Sequence, residues 1–178
     1  MKEKQISKKY PYKGKVINIR VDEAEVENGD IVFREVVEHP GGVCIALEDE
    51  EGKFTLVLQW RYAQEEELLE FPAGKLEPNE NPRDAILRET VEETGYEPIA
   101  LEEMGMFVPT GAYGQERVYL YYAKQGAYIG QHLDEDEHIQ LKKYTLDEII
   151  DLIMSGEIID GKTCTLAFKL KERKQRNA

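Results

Sequence analysis

Glu89, Glu92 and Glu93 stand at i, i+3 and i+4 inside a segment whose ends are helix ends, and this constrains the chain more than any other feature. Asn81 is a capping residue, Pro82 suits the first helical position, and Gly95 supplies the left-handed stop. The pattern predicts a helix over 82–94. At 3.6 residues per turn the three carboxylates share one face within a single turn. Leu87, Val91 and Thr94 are expected on the opposite face, against a sheet. Like charges at this spacing destabilise a helix by roughly a few tenths of a kcal/mol per pair. A solvated acidic face is therefore the ordinary reading of an isolated ExxEE. A divalent cation reverses the sign, because Mg²⁺ takes a few carboxylate oxygens and keeps positions for water and phosphate. The loop Gly74-Lys75-Leu76-Glu77 before the helix brings backbone close to that face, as a phosphate site needs.

Around this helix the chain reads as strands first and helices last. β-Branched runs at 16–22 and 30–37 flank the turn Asn28-Gly29-Asp30. Buried-type runs follow at 43–47 and 54–60, and strand-like segments at 101–108 and 117–123. Helices are expected at 146–155 and 163–173. That order implies an α/β or α+β fold around a mixed sheet. A net charge of −13 argues against a nucleic-acid binder, which presents a basic face. It suits an enzyme that fills some carboxylates with metal, and equally a merely soluble protein. No apolar run has membrane-spanning length, and Met1–Tyr12 is polar rather than signal-like. Cys44 and Cys164 lack metal-ligand spacing, so a reducing, cytoplasmic setting is expected.

The same segment resembles the Nudix box, Gx5Ex7REUxEExGU, with U a bulky apolar residue. All seven fixed residues are present: Gly74, Glu80, Arg88, Glu89, Glu92, Glu93 and Gly95. Chance produces such a match on the order of 10⁻⁷ per window. Thr90 departs where an aliphatic is usual, and is expected to affect packing rather than chemistry. The resemblance implies an α/β/α sandwich and hydrolysis of a nucleoside diphosphate linked to another moiety, with Mg²⁺ or Mn²⁺. It implies Glu89 and Glu93 as principal metal ligands and Glu92 as an assisting catalytic carboxylate. The backbone carbonyl of Ala73 would be a further ligand. Arg88 would hold the geometry by pairing with Glu80 or Glu92.

Leu69-Glu70-Phe71-Pro72-Ala73-Gly74-Lys75-Leu76-Glu77 is similar to the lead-in of ADP-ribose pyrophosphatases. So are Arg34–Gly42 and Gln59-Trp60-Arg61-Tyr62. That subfamily resemblance implies that Arg34 and Glu35 read adenine from a neighbouring subunit, and that Arg61 contacts the phosphate or ribose. Unaided, both arginines read as surface cations. Residues 133–139 form an acidic loop by composition. On the resemblance Glu135 is the general base and Glu137 a metal ligand, roles the repetitive loop leaves exchangeable. His138 reads as a surface residue. Pro109 stands two residues before the subfamily's usual proline, whose place Gly111 takes, while Glu116 aligns with the acidic substrate or metal contact that ends this turn. Tyr113 is a pocket aromatic or a rim aromatic with equal weight.

The implied organisation is residues 1–40 as N-terminal strands that dimerise and 41–178 as the hydrolase domain, giving a homodimer with shared sites. The implied substrate is a small nucleoside diphosphate sugar, ADP-ribose first. A GDP-sugar or ADP-glucose is the same-class alternative, and a non-catalytic ligand sensor the alternative from another class.

Overall fold

The computed structural model describes residues 2–133 and 138–176, which form two compact units. The first comprises the chain up to Gly41 together with Val108–Arg117. Its sheet is antiparallel, in the order β1 (Lys4–Lys13), β2 (Asn18–Glu25), β3 (Ile31–Glu38). The β2–β3 turn closes as expected, with Gly29 at φ 87° donating to the Val26 carbonyl at 2.9 Å. β1 was not foreseen from sequence. Its residues are mostly exposed and polar, so no alternation marks it, and it is held by pairing along β2. Polar ties replace an apolar core here: Arg20 reaches Asp22 at 2.9 Å and Glu38 at 2.5 Å, and Ser7 donates to Glu23 at 2.7 Å. Residues 108–117 join through Val37, whose N–H donates to the Tyr113 carbonyl at 2.8 Å and whose carbonyl accepts from Gln115 at 2.9 Å.

The second unit holds Gly42–Phe107 and the chain from Val118 onward. Its strands are β4 (Gly42–Glu48), β5 (Lys53–Arg61), β6 (Glu66–Glu70), β7 (Ala73–Lys75), β8 (Tyr96–Phe107), β9 (Val118–Tyr128) and β10 (Ile139–Thr145). The main order is β10-β5-β4-β9-β8, with β6 on β5 and β7 on β4. Only β4 and β9 run parallel among these pairings, so the sheet is mixed, as expected. The helices are α1 (Pro82–Thr94), α2 (Leu146–Ser155) and α3 (Gly161–Arg176).

β4 shows why the unit has three layers. Every one of its residues is buried, and side chains alternate between sheet faces. Cys44 and Ala46 pack into a core with Leu146 and Ile149 of α2 and Leu166 and Leu170 of α3. Val43, Ile45 and Leu47 pack into another with Ala85 and Ile86 of α1. Burial in that first core pushes the Cys44 thiol well above its ordinary pKa.

Two expectations about α1 need correction. Its packed side is Ala85, Ile86, Thr90, Glu93 and Thr94, whereas Leu87 is exposed and Val91 only partly covered. Small residues let the helix approach the sheet closely, which a weighting by side-chain bulk misses. Thr90 fits this contact, because its hydroxyl is satisfied by the Ile86 carbonyl one turn back.

Candidate functional site

The site is built where β7 meets α1. The Asn81 side chain accepts from the Arg83 N–H at 2.8 Å, and Gly95 at φ 76° returns its N–H to the Val91 carbonyl at 2.8 Å. Between these caps the helix carries Glu89, Glu92 and Glu93 at three depths. Glu93 is 3% exposed and accepts the Ala73 N–H at 2.9 Å. The Glu89 side chain is mostly covered, and that of Glu92 is the most open.

Glu89 explains Gly74. A β-carbon at Gly74 would lie 1.9 Å from the Glu89 carboxyl carbon and 2.2 Å from both oxygens. No side chain fits, so glycine gives the carboxylate a seat directly on the β7 backbone. Gly42 extends the demand, since its β-carbon would come 2.9 Å from the Gly74 carbonyl oxygen.

Arg88 offsets the repulsion among the carboxylates. Its Nε and Nη2 donate to the two Glu80 oxygens at 3.0 Å each, and Nη1 lies 2.8 Å from Glu92 and 2.9 Å from Glu89. The sequence left Glu80 and Glu92 as alternative partners; the guanidinium takes both. Arg88 holds the Glu80 carboxyl below the usual carboxylate range, first through its hydrogen bond. The Arg88 pKa is raised by the same contacts.

Residues 129–132 are tied to the end of this helix. Ile129 donates to the Gly95 carbonyl at 2.8 Å, Gln131 through Nε2 to the Glu93 carbonyl at 2.6 Å, and His132 to the Glu92 carbonyl at 3.0 Å. Gly95 is required here too, because a β-carbon would meet the Tyr128 ring at 2.4 Å. Glu135 and Glu137 lie outside the described residues. His138 is exposed.

Arg61 is not a free surface cation. It ends β5, and its Nε and Nη2 each donate to Glu70 at 2.6 Å. Glu70 also receives Lys162, which in turn reaches Asp160 at 2.9 Å. Sequence reading passed over Glu70, Lys162 and Asp160. The one signal was a glutamate placed between Leu69 and Phe71 at the end of an apolar run.

The remaining expected residues belong to the first unit. Arg34 forks onto Glu3 at 2.9 and 2.8 Å, and Glu35 beside it is exposed. Glu116 lies 3.4 Å from His39 Nδ1. Gly111 has only a Val108 methyl near its would-be β-carbon, at 3.8 Å, whereas Gly114 would meet the Thr110 carbonyl at 2.9 Å. The tight position in this turn is Gly114, not Gly111. Tyr113 is exposed.

Among the described residues no three histidine, cysteine or acidic side chains form a ready metal cluster. The donor chemistry nevertheless fits a hard divalent cation. Glu89 and Glu93 offer carboxylate oxygens beside the β7 backbone, Glu89 at Gly74 and Glu93 at the Ala73 N–H, and glycine at 74 keeps side-chain bulk away from Glu89. Among the described residues no helix is long and apolar enough to cross a membrane.

The family described as "NUDIX domain" matches residues 38–163. The chain is 37% identical over 165 residues to the ADP-ribose pyrophosphatase of Bacillus subtilis (strain 168), covering 92% of this chain and 89% of that protein. It is 39% identical over 163 residues to the methanol dehydrogenase activator of Bacillus methanolicus, covering 90% and 88%. A solved structure described as "Crystal structure of ADP compounds hydrolase" matches with a TM-score of 0.87 over 100% of this chain and 97% of that one. At 17% identity that match is a likeness of fold.

Proposed function

The chain belongs to the Nudix family and is a Nudix hydrolase of nucleoside diphosphate substrates, and from that premise we propose that it converts ADP-ribose to AMP and ribose 5-phosphate. The observation that carries the reading is the pair of seated carboxylates, Glu89 against Gly74 and Glu93 on the Ala73 N–H. Glu89, Glu93, the Ala73 carbonyl and Glu137 would hold Mg²⁺ or Mn²⁺, with Glu92 assisting. Bound there, the cation would neutralise the pyrophosphate and lower the pKa of the attacking water. Glu135 takes the proton from that water as its oxygen bonds to phosphorus and the bridging P–O bond breaks. Anchoring of residues 129–132 on the C-terminal end of α1 supports this role, since it ties a segment close to Glu135 in sequence to the helix that carries the glutamates. Arg88 keeps Glu80, Glu89 and Glu92 in register, and Arg61 binds the phosphate or ribose.

Arg34 and Glu35 would read the adenine of the partner's site in a homodimer, and Glu116 would contact substrate or metal. Exposed Ile31 and Phe33 on β3 support such an interface, Phe33 being 69% exposed. The two free cysteines accord with a cytoplasmic setting.

A GDP-sugar or ADP-glucose is the second reading, favoured by the turn that places Pro109 early. A panel of nucleoside diphosphate sugars with Mg²⁺ separates the two. ADP-ribose is expected to give the highest kcat/KM, and faster turnover of any GDP-sugar overturns the choice. Glu135→Gln is expected to slow turnover on the order of 10²- to 10⁴-fold with little change in substrate affinity. If Glu137→Gln has that effect instead, the two roles are exchanged.

A further inference from the structure

Glu70 is 1% exposed, and a carboxylate so buried persists only with strong partners. It has two cations. Arg61 grips it side-on through Nε and Nη2, and Lys162 binds the oxygen that Nη2 also reaches. Lys162 continues to Asp160, whose other oxygen accepts from both the N–H and the hydroxyl of Thr163 at 2.9 and 2.6 Å. The Thr163 hydroxyl oxygen accepts the N–H of Phe71, the residue after Glu70, at 2.9 Å. The circuit therefore returns to its origin, fixing the Glu70 side chain through Lys162 and the adjoining backbone through Thr163. Burial pulls the Lys162 pKa down, but Asp160 and Glu70 outweigh it and hold the ammonium charged.

Arg61 differs from the rest of the cluster. Its side chain is 38% exposed, against 14% for Lys162 and 16% for Asp160. The side-on grip uses one edge of the guanidinium and leaves Nη1 and the end-on edge unused by Glu70, the edge that forks onto phosphate or paired hydroxyls. A long side chain that would otherwise lose rotamer freedom on binding is thus fixed beforehand.

We propose that Glu70, Lys162 and Asp160 are positioning residues that hold the Arg61 guanidinium for the nucleoside diphosphate substrate. The inference rests on the assignment of Arg61 to substrate made above.

The test compares wild type, Arg61→Ala, Lys162→Met, the neutral pair Glu70→Gln/Lys162→Met, and the pair combined with Arg61→Ala. The readouts are kcat and KM for ADP-ribose with Mg²⁺, calorimetric Kd for ADP-ribose without metal, and thermal midpoints. The neutral pair removes the buried Glu70 charge together with its lysine, while Asp160 keeps its two Thr163 donors, so it keeps the test open if Lys162→Met does not fold. Both are expected to raise KM and Kd about tenfold to hundredfold with kcat within about twofold. Lys162→Arg is expected to restore the wild-type KM. Adding Arg61→Ala to the neutral pair should raise KM little further, because both act through one guanidinium. A purely structural cluster would give additive effects, or lower midpoints with unchanged KM, and either overturns the proposal. If Arg61→Ala itself leaves KM and Kd unchanged, the assignment of Arg61 to substrate falls, and the positioning role falls with it. A KM raised by Arg61→Ala but untouched by the neutral pair leaves that assignment standing and removes only the relay.

Discussion

Glu93→Gln is expected to lower kcat on the order of 10³-fold while leaving the fold in place. Glutamine matches glutamate in shape and keeps an oxygen for the Ala73 N–H, the contact that ties α1 to β7. It removes the charge and the hard anionic donor. The site is almost fully buried, so removing a charge there need not destabilise the protein, and the thermal midpoint should stay within about 5 °C. Calorimetric titration with Mg²⁺ or Mn²⁺ should show weakened binding in the same variant. Wild-type turnover by Glu93→Gln would refute its assignment as a ligand. The variant also tests the shared site. Mixed with Arg34→Ala under conditions that exchange subunits, it should recover up to about a quarter of wild-type activity, since half the dimers then hold one complete site. No recovery would mean that Arg34 does not serve a neighbour.

Gly74→Ala is expected to lower kcat/KM by at least about a hundredfold and to cost about 1 kcal/mol of stability, since the clash is with the end of the Glu89 side chain rather than with backbone. A β-carbon there falls inside the Glu89 carboxylate, a clash no rotamer of alanine relieves. Either Glu89 swings away and the ligand set is lost, or β7 shifts from its register with β4 at Val43. Truncating the obstacle separates these outcomes. Gly74→Ala/Glu89→Ala should regain most of the thermal midpoint and none of the activity. Unchanged stability and turnover in Gly74→Ala would show that the carboxylate does not use this seat.

The helix and its caps were legible because local chemistry determines them: Asn81, Pro82 and Gly95 act on their own backbone. The same holds for α2, which spans 146–155 as expected, with Thr145 and Glu148 forming a capping box. The alternation that splits β4 between two cores was readable only as a buried run, since both faces are apolar. β1 was illegible because its stability comes from a partner strand rather than from its own pattern. The packed face of α1 was misread for a related reason: bulk favoured Leu87, but close approach favours Ala85 and Thr90. The Glu70–Lys162 contact joins positions 92 residues apart, and no local signal links a glutamate in one strand to a lysine in a later helix.

The parallel pairing of β4 with β9 carries a consequence for how the molecule assembles. Gly42 pairs with Val118, and β5, β6, β7 and α1 all lie in the loop that this pairing closes. Loop-closure entropy rises with the length enclosed, and contacts this distant in sequence slow folding. Glu89, Glu92 and Glu93, the helix carboxylates proposed to act, therefore lie inside the loop that this long-range pairing closes. Activity should return on refolding only when β9 docks, so the recovery of turnover can serve as a clock for completion of the sheet.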